Sequence, residues 1–399
     1  MAKKAVIIGA GFGGLSVAAL LAKDGFDVTV LEKNEQAGGR ARVWAKDGFV
    51  YDMGPSWYLM PEVFDKFFSL FGKRSSDYYK LLRLDPNYRV FFGEKEAIDV
   101  PAERQKIAEL FDRLENDGGK KLERYLKNSA YQYKVAMRDF MYRDYNSLLD
   151  FFNWRLVAEG LRLHIFEKLD RYVNRYFADD RIRKLLEYTV VFLGGSPSNT
   201  PALYSIMSHV DFDLGVWYPA GGMGEVVKGF QKLAEGQGAR VLCRHAAKRI
   251  EVVDREVKMV ITEKGVFPAD VVVINADYQY AEAEMIEPRY RNYPSGYWEK
   301  KKIGPSAFIL YLGIDKKVPG LRHHNLYLDP FWDEHFKQIF DRPAWPGSPS
   351  FYISCPSKTD PTVAPAGMEN IFVLVPVAPG LEDNKKIQEK YYQKILAHP

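Results

Sequence analysis

Four glycines and one glutamate near the start of the sequence have the spacing of a dinucleotide-binding site. Gly9-Ala10-Gly11-Phe12-Gly13-Gly14 lies between an apolar segment and a helical one, and Glu32 follows Gly14 by 18 residues. The first glycine permits a tight turn, the second lets the backbone approach a pyrophosphate, and the third lets helix and strand pack closely. The pyrophosphate then lies at a helix N-terminus, where free N–H groups favour an anion. Glu32 is placed to accept hydrogen bonds from a ribose diol, which disfavours NADP and leaves NAD or FAD.

A second glycine-rich segment, Gly38-Gly39-Arg40-Ala41, begins six residues after Glu32. Two glycines and an arginine just past a second strand would extend the phosphate-binding surface. This arrangement resembles the amine-oxidase-like flavoproteins, whereas NAD-dependent dehydrogenases do not usually carry it. The resemblance therefore favours FAD.

A third segment, Phe49-Val-Tyr-Asp-Met-Gly-Pro-Ser-Trp57, is similar to the run that passes close to the isoalloxazine ring in those flavoproteins. The resemblance implies that Gly54 and Pro55, which have small side chains or none, place the backbone against the ring. Asp52 has a plainer alternative role, which is to cap the same turn.

The elements around the first motif form a βαβ unit. Residues 4–9 are predicted as a buried parallel strand, Leu15 to Lys23 as a helix, and residues 27–32 as a second strand. Two parallel strands joined by a helical crossover are what such a unit requires. The run from Ala5 to Ala22 is uncharged and long enough for a signal peptide or a membrane span, but its glycines divide it into strand, turn and helix.

The rest of the chain is predicted to be mixed before residue 101, helical over 102–186, and α/β again beyond Trp217. The predicted elements are a helix over 62–71, strands over 89–92 and 97–100, a helix opened by Pro101, helix breaks at 115–119 and 179–180, a helix over 224–237, a strand over 240–243, a β-meander over 248–253, 258–262 and 266–267, and strands over 270–275, 307–314 and 370–377.

Aromatic residues are numerous and unevenly distributed. The 25 Tyr, 25 Phe and 7 Trp make up 14% of the chain, with four in residues 1–50 and 28 in residues 51–200. Residues 120–184 carry 15 Lys or Arg against 9 Asp or Glu, although the whole chain has a net charge of only +4. This distribution leaves two interpretations open, a large aromatic core or a long apolar site with a membrane-facing surface.

The composition disfavours several other classes of site. The mild net charge does not require nucleic acid, and we predict no nucleic-acid partner. Cys243 and Cys355 are far apart, which excludes a disulfide framework and fits a reducing compartment. The seven histidines have no metal-binding spacing, and the pair His323-His324 is predicted to lie in a surface loop, so we predict no metal site.

Through nearly its whole length the chain resembles the bacterial-type carotenoid desaturases, that is, phytoene desaturase and its relatives. The most specific of the shared motifs is Gly215-Val-Trp-Tyr-Pro-Ala-Gly-Gly222. The other resembling segments are 6–14, Glu32, 38–41, 49–56, 193–197 and 275–277. This resemblance implies FAD bound in extended form and a long apolar tunnel for a linear polyene. The cofactor-binding residues that it implies are Gly9, Ala10, Gly11, Phe12, Gly13, Gly14, Glu32, Lys33, Gly38, Gly39, Arg40, Ala41, Gly54, Pro55, Ser56, Ala247 and Ala276. Ala247, where the backbone would meet the adenine, is equally compatible with a plain core position.

The implied fold class is α/β, with a Rossmann-type dinucleotide-binding domain interleaved with a mixed-sheet substrate domain and a helical membrane-facing subdomain. Residues 1–85 and 219–282 are predicted to bind FAD. Residues 86–101, 187–218 and 283–399 are predicted to form the substrate-binding domain, and residues 102–186 the helical subdomain.

The implied activity is FAD-dependent desaturation of a linear carotenoid precursor, phytoene or a shorter analogue, with oxygen or a quinone as the terminal electron acceptor. Desaturation removes a hydride from one carbon, which flavin N5 accepts, and a proton from its neighbour. A carboxylate in a dry tunnel, where its pKa is raised, could take the proton. Asp150 is the candidate, and its alternative is a helix-surface aspartate balanced by Arg155.

The substrate of such an enzyme lies in the lipid phase. The basic and aromatic segment 120–184 would suit docking on an anionic leaflet, with Phe151, Phe152 and Trp154 entering the interface. An ordinary solvated helical subdomain is equally open. We predict a cytoplasmic, peripheral membrane protein.

The sequence leaves three alternatives open. A carotenoid isomerase or a retinol-saturase-like polyene oxidoreductase would use the same scaffold, and a non-catalytic isoprenoid-binding escort protein would use it without flavin. An amine oxidase is disfavoured because nothing resembles its aromatic cage. Members of the resembled family end in a glycine-rich segment that covers the flavin, whereas this sequence stops at His398-Pro399, so we expect a fragment of a longer reading frame.

Overall fold

The computed structural model describes residues 2–94, 96–144, 146–147 and 163–397. Its strands, in chain order, are β1 (Lys4–Ile8), β2 (Asp27–Leu31), β3 (Val43–Lys46), β4 (Phe49–Asp52), β5 (Leu81–Arg83), β6 (Tyr88–Phe92), β7 (Glu96–Val100), β8 (Trp217–Pro219), β9 (Arg240–Leu242), β10 (Ala247–Val253), β11 (Glu256–Thr262), β12 (Gly265–Pro268), β13 (Val271–Ile274), β14 (Ser306–Ile314), β15 (His324–Leu328), β16 (Phe351–Ser354) and β17 (Glu369–Val377).

The helices of eight or more described residues are α1 (Phe12–Lys23), α2 (Pro61–Ser69), α3 (Arg104–Leu114), α4 (Gly118–Val135), α5 (Asp180–Glu187), α6 (Met223–Gly236), α7 (Trp332–Phe340) and α8 (Lys385–Leu396). Shorter α-helices lie at Leu169–Asn174, Ile206–His209, Tyr278–Tyr280 and Ser295–Glu299. Tight 3-10 turns include Gly39–Ala41 and Tyr188–Leu193, and wider π-turns include Ala136–Phe140 and Val210–Leu214.

The predicted βαβ unit lies at the centre of a parallel sheet with the strand order β13-β1-β2-β9. Successive residues of β1 face opposite sides, since Ala5 and Ile7 pack with α1 and α6 while Val6 and Ile8 pack towards β10–β12. This two-sided burial explains why β1 is apolar throughout. The predicted β-meander is confirmed as the antiparallel sheet β10-β11-β12.

A second, six-stranded sheet has the order β14-β17-β16-β15-β6-β7. It is mixed, because β15 and β6 run parallel whereas the other neighbouring pairs are antiparallel. One face, which carries Leu326, Tyr352 and Phe372, packs on the helical region, and the opposite face packs on Tyr391 of α8 and its neighbours. Residues of β17 therefore alternate between two cores.

The helical region begins later than the sequence pattern predicts. Pro101 does not open a helix, because it directly follows β7 and the N–H of Ala102 is held by Asp85 Oδ1 at 3.0 Å, and α3 starts at Arg104. The two predicted breaks are confirmed. One lies between Leu114 and Gly118, and the other ends at Asp179, whose carboxylate caps α5 by accepting from the N–H groups of Arg181 and Ile182.

The chain alternates between the two large sheets, since residues 4–31 and 240–274 supply the parallel sheet and residues 88–100 and 306–377 the mixed one. The exact domain boundaries given above remain a prediction. The sequence pattern missed the hairpin β3-β4, the pair β5-β8 and strands β15 and β16. Among the helices of the described ranges, none combines the length and the apolar character needed to cross a membrane.

Candidate functional site

The turn between β1 and α1 has the steric requirements that the glycine spacing predicts. Gly9 has φ +101°, and a Cβ there would lie 2.5 Å from the carbonyl oxygen of Asn275. A Cβ on Gly14 would lie 2.0 Å from the carbonyl oxygen of Gly9. Because side chains at these positions would collide with backbone, the glycines are needed for the tight turn and for the close packing of α1.

The N-terminus of α1 is free to hold an anion. Gly11 is its N-cap residue, no described side chain caps it, and its first turn contains no acidic residue. The unpaired N–H groups and the dipole at such an end attract a phosphate. Phe12 and Gly13 lie in this first turn, and Gly13 lies next to the side chain of Asn275.

Glu32 is almost completely buried at the end of β2. One carboxylate oxygen accepts from the N–H of Ala10 at 2.9 Å, and the other accepts from the N–H and the side-chain amide of Asn34 at 2.9 and 2.6 Å. The acid thus binds the glycine turn directly. Each carboxylate oxygen has more than one lone pair, so Glu32 retains capacity to accept from a ribose hydroxyl.

The second glycine segment packs against the first. The N–H of Gly38 donates to the carbonyl of Ala10 at 2.8 Å, and a Cβ on Gly39 would lie 3.3 Å from Cα of Gly11. Ala41 is buried, whereas Lys33 and Arg40 are exposed. The two segments therefore form one cradle with cationic side chains on its outside.

The third segment packs closely against this cradle at Gly54, where a Cβ would lie 2.0 Å from the carbonyl oxygen of Arg40. Pro55 is exposed and Ser56 is half-buried. The prediction that Asp52 caps its own turn is wrong. Its carboxylate instead accepts from the N–H of Met223 at 3.0 Å, at the start of α6, because the fold brings that helix end against β4.

Two further predicted positions lie at opposite margins of the cradle. Ala247 is buried in the cluster that contains Ile8 and Leu31, behind the residue that ends β2. Ala276 is exposed just beyond β13. Its neighbour Asn275 was missed as a site residue, although its side chain lies against Gly11, Gly13 and Gly14. The available signal was its place directly after a strand that borders β1.

A small pocket lies between the third segment, the glycines before α6 and the mixed sheet. Its lining includes Asp52, Ser56, Gly221, Gly222 and Phe372. Burial raises the pKa of Asp52 to about 6, although the N–H groups of Met223 and Gly224 oppose that rise. Asp52 Oδ1 is buried and has no hydrogen-bond partner among the described residues.

An apolar cavity lies next to that pocket, on the same face of the mixed sheet. Side chains from β15, β17, α7 and the turn at Tyr188–Leu193 surround it, among them Phe192, Leu326, Phe336 and Leu374. Tyr352 lines the cavity, and its hydroxyl lies 2.8 Å from Oγ of Ser56, which lines the pocket. Tyr352 and Ser56 thus connect the two spaces.

The prediction that His323 and His324 lie in a surface loop is wrong. Both are buried, because His324 begins β15 and the sheet covers them, and burial lowers the pKa of His323 to about 3 and that of His324 well below its usual value. His324 Nδ1 lies 2.7 Å from the hydroxyl of Tyr352, and its ring stacks on Trp57 with centroids 4.5 Å apart. The pair therefore belongs to the wall behind Ser56.

The glycine cradle, the buried acid and the adjoining apolar cavity can be compared with known proteins. The family described as flavin-containing amine oxidoreductase matches residues 12–397. The carotenoid 3,4-desaturase of Haloarcula japonica is 46% identical over 395 residues, which is 98% of this chain and 79% of that protein.

The chain belongs to the carotenoid desaturase branch of the flavin-containing amine oxidoreductases. The zeta-carotene-forming phytoene desaturase of Myxococcus xanthus is 33% identical over 98% of this chain and 77% of that protein. The 4,4'-diapolycopene oxygenase of a Methylomonas species is 30% identical over 98% and 79%.

Solved structures share the fold of this flavin-containing oxidoreductase. An oxidoreductase from Methanosarcina mazei superposes with a TM-score of 0.64 at 17% identity, over 99% of this chain and 83% of that one. A RAB GDI from Plasmodium falciparum superposes with a TM-score of 0.58 at 17% identity, over 99% and 86%. At these identities the likeness shows the fold alone.

The protein is an FAD-dependent oxidoreductase, and its residues fit the cofactor. Gly9, Gly14 and Gly54 have no room for a side chain, the end of α1 is uncapped among the described residues, and Glu32 is a buried acceptor of the N–H of Ala10. These features suit a pyrophosphate and a ribose. Asp150, the predicted catalytic acid or base, lies outside the described residues.

Proposed function

We propose that this protein desaturates a linear carotenoid precursor with FAD as the oxidant. The observation that carries the proposal is the apolar cavity lined by Tyr352, whose hydroxyl lies 2.8 Å from Oγ of Ser56 in the lining of the small pocket. The names of the relatives supply the substrate class, since they include a carotenoid 3,4-desaturase and a phytoene desaturase. A linear polyene has no polar groups, so a cavity lined by aliphatic and aromatic side chains suits it.

Bound FAD would accept a hydride from a saturated carbon of the chain. The protein's own contribution is to hold the polyene and exclude water. Leu326, Phe336 and Leu374 supply apolar walls. Tyr352 lines the cavity, and the ring of Trp57 lies beside it with the two centroids 6.0 Å apart. Their faces would stabilise positive charge that develops along the polyene.

The other enzyme candidates, a carotenoid isomerase and a retinol-saturase-like oxidoreductase, differ in the mass of their product. Desaturation lowers the mass by two hydrogens per step, isomerisation leaves it unchanged, and saturation raises it. The non-catalytic escort protein is disfavoured because relatives covered over 98% of this chain are named as a carotenoid 3,4-desaturase and a phytoene desaturase.

The test is expression in cells that accumulate phytoene, and separately in cells that accumulate lycopene, with the products read by chromatography and mass spectrometry. We expect new carotenoids with additional double bonds from at least one substrate. As a control, Leu374→Trp should fill the cavity and abolish the products while the purified protein keeps its flavin absorbance. Unchanged substrate in both strains would overturn the proposal.

We further propose peripheral association with the cytoplasmic face of a membrane. The support is a surface within residues 278–303, in which the exposed ring of Tyr278 and the half-buried rings of Tyr293, Tyr297 and Trp298 contact one another. Lys300, Lys301, Lys302 and Ile303 follow and are exposed. Aromatic rings beside lysines are typical of a membrane interface.

The chain that follows the 278–303 surface passes near the turn at Tyr188–Leu193, which lines the cavity. Pro305 lies 3.6 Å from the position of a Cβ on Gly194, and the preceding Phe192 and Leu193 are both about half exposed. Phe192 also lines the cavity. Lipid contact here would let a polyene enter without crossing water. Met141 and Phe166, which lie within the basic segment 120–184, are exposed as well.

We also propose oxygen or a quinone as the terminal electron acceptor. The two differ in a simple measurement, because an oxygen-dependent enzyme stops turning over under anaerobic conditions whereas a quinone-dependent one continues when quinone is added. The free thiols of Cys243 and Cys355 accord with the proposed cytoplasmic location.

A further inference from the structure

Asp211 is a buried carboxylate that no motif indicated. It lies in the turn at Val210–Leu214, inside the core that joins the helical region to the mixed sheet. Its Oδ2 accepts from the hydroxyl of Tyr88 at 2.7 Å and from that of Tyr188 at 3.1 Å. Its Oδ1 is also buried and has no hydrogen-bond partner among the described residues. Burying a carboxylate that has an unsatisfied hydrogen-bond acceptor costs free energy of folding. Such groups often have a functional role.

Tyr188 connects this carboxylate with the apolar cavity. It lines the cavity, while its hydroxyl donates to Asp211. Trp57, the residue after Ser56, contacts the rings of both tyrosines that donate to Asp211, with its ring centroid 6.3 Å from that of Tyr188 and 5.3 Å from that of Tyr88. Asp211 is therefore linked through one side chain to the space where the polyene would lie.

We propose that Tyr188 and Asp211 together accept the proton that the polyene loses during desaturation. This inference rests on the proposed function, which supplies the loss of the hydride. The C–H bond on the neighbouring carbon then breaks, and its electron pair becomes the π bond of the new double bond. The proton bonds to the oxygen of Tyr188, whose own proton moves to Oδ2 of Asp211. Tyr188 remains a neutral phenol and Asp211 becomes a neutral acid.

The surroundings suit a carboxylate that changes its protonation state. Burial raises the pKa of Asp211 to about 7, and the hydroxyls of Tyr88 and Tyr188 and the charge of Arg83 oppose that rise. The Arg83 guanidinium is fixed by the carbonyls of Leu214 and Ala102, each at 3.2 Å. Taking up a proton removes a buried charge, so the acceptor becomes more stable in its apolar site once it is protonated.

The first test is anaerobic single turnover, followed by the bleaching of the flavin absorbance between pH 5 and 9. We expect the wild-type rate to rise with pH through one apparent pKa near neutrality, because Asp211 must be ionised. Asp211→Asn should lower the rate by about 100-fold or more and remove this pH dependence, while changing KM by less than about threefold. Tyr188→Phe should also slow the reaction. Asp213→Asn, two residues on and bonded to Arg104 and His209, should leave the rate unchanged.

Tyr88→Phe gives a sharper prediction than loss of rate. It removes one donor to the ionised form of Asp211, so the apparent pKa of the rate profile should move upward. A role confined to packing would leave the profile in place. The fold of Asp211→Asn should persist, since an amide oxygen still accepts from both tyrosines, and thermal unfolding checks this.

The second test does not depend on turnover. Infrared spectroscopy of the holoprotein should show a protonated carboxyl band that titrates near neutrality and is missing in Asp211→Asn. Lycopene in detergent micelles should shift this band in the wild type but not in Tyr188→Phe. An unshifted band, or a wild-type rate in Asp211→Asn, would overturn the inference while leaving desaturation intact. A shifted band without any product would instead count against the proposed function and support the link from Asp211 to the cavity.

Discussion

The carboxylate of Glu32 accepts a hydrogen bond from the N–H of Ala10 over 2.9 Å, which fastens the end of β2 to the glycine turn. Both residues are buried, and Asn34 occupies the other carboxylate oxygen. The acid that would receive the ribose therefore also shapes the turn that would receive the pyrophosphate. Structure and cofactor binding are coupled at this one side chain.

Glu32→Ala should weaken both properties. It leaves the buried N–H of Ala10 without a partner, so we expect the apoprotein to lose about 1–3 kcal/mol of unfolding free energy. FAD affinity, measured by fluorescence titration, should fall as well. Glu32→Gln keeps an acceptor oxygen and should lie between wild type and Glu32→Ala in stability. An apoprotein of unchanged stability would show that the bond to Ala10 contributes nothing.

Gly14→Ala should disrupt the packing of α1 on the sheet. The added Cβ would lie 2.0 Å from the carbonyl oxygen of Gly9, so backbone must move at a cost of about 1–3 kcal/mol or more. Gly236→Ala is the matched control, because it also lies in a helix but no atom lies within 4 Å of its Cβ position. That control should be neutral or slightly stabilising. Urea denaturation of the two variants measures the difference, and equal stability would contradict the packing argument.

Asp52→Asn should stabilise the protein in a pH-dependent way. Burial raises the pKa of Asp52 to about 6, above its value in the unfolded chain, so the folded protein loses stability as pH rises from about 4 to 6. This penalty reaches about 3 kcal/mol above pH 6. The asparagine avoids it and still accepts from the N–H of Met223. Its stabilisation should be largest at pH 8 and shrink towards pH 4 in denaturation experiments, whereas a constant difference would exclude ionisation as the cause.

Charge reversal on the 278–303 surface should weaken membrane binding. Changing Lys300, Lys301 and Lys302 together to glutamate should lower binding to anionic vesicles by about 100-fold or more, since each lysine near such a surface contributes about 1 kcal/mol. The control changes Lys385 and Lys386, which are exposed on α8, to glutamate. Vesicle sedimentation measures both variants. Equal loss in the two would indicate non-specific attraction, and no loss in either would exclude this surface.

Much of the cofactor site could be predicted from the sequence because its requirements are local. Gly9 and Gly14 are needed within one turn of chain, and Glu32 ends the strand next to β1. The apolar run of β1 predicted a strand buried on both faces, and that is what the structure shows. Steric rules of this kind act over a few residues, so the sequence alone carries them.

The rest of the candidate site depends on contacts between segments that are distant in the sequence. Asp52 reaches the start of α6 at Met223, Tyr352 reaches Ser56, and the sheet buries His323 and His324. Pro101 shows the same limit, since the end of β7 and Asp85 prevent the helix that its position favours. No periodicity in the sequence encodes such pairings.

The sequence by itself determined the glycine turn after β1 and the family, and it predicted the acid for the ribose. Only the tertiary structure decided which acids are buried beside the cavity and which aromatic rings surround it. The reason is physical: backbone sterics act between near neighbours in the chain, whereas burial, and with it the raised pKa of Asp211 and of Asp52, arises only when remote segments exclude water together.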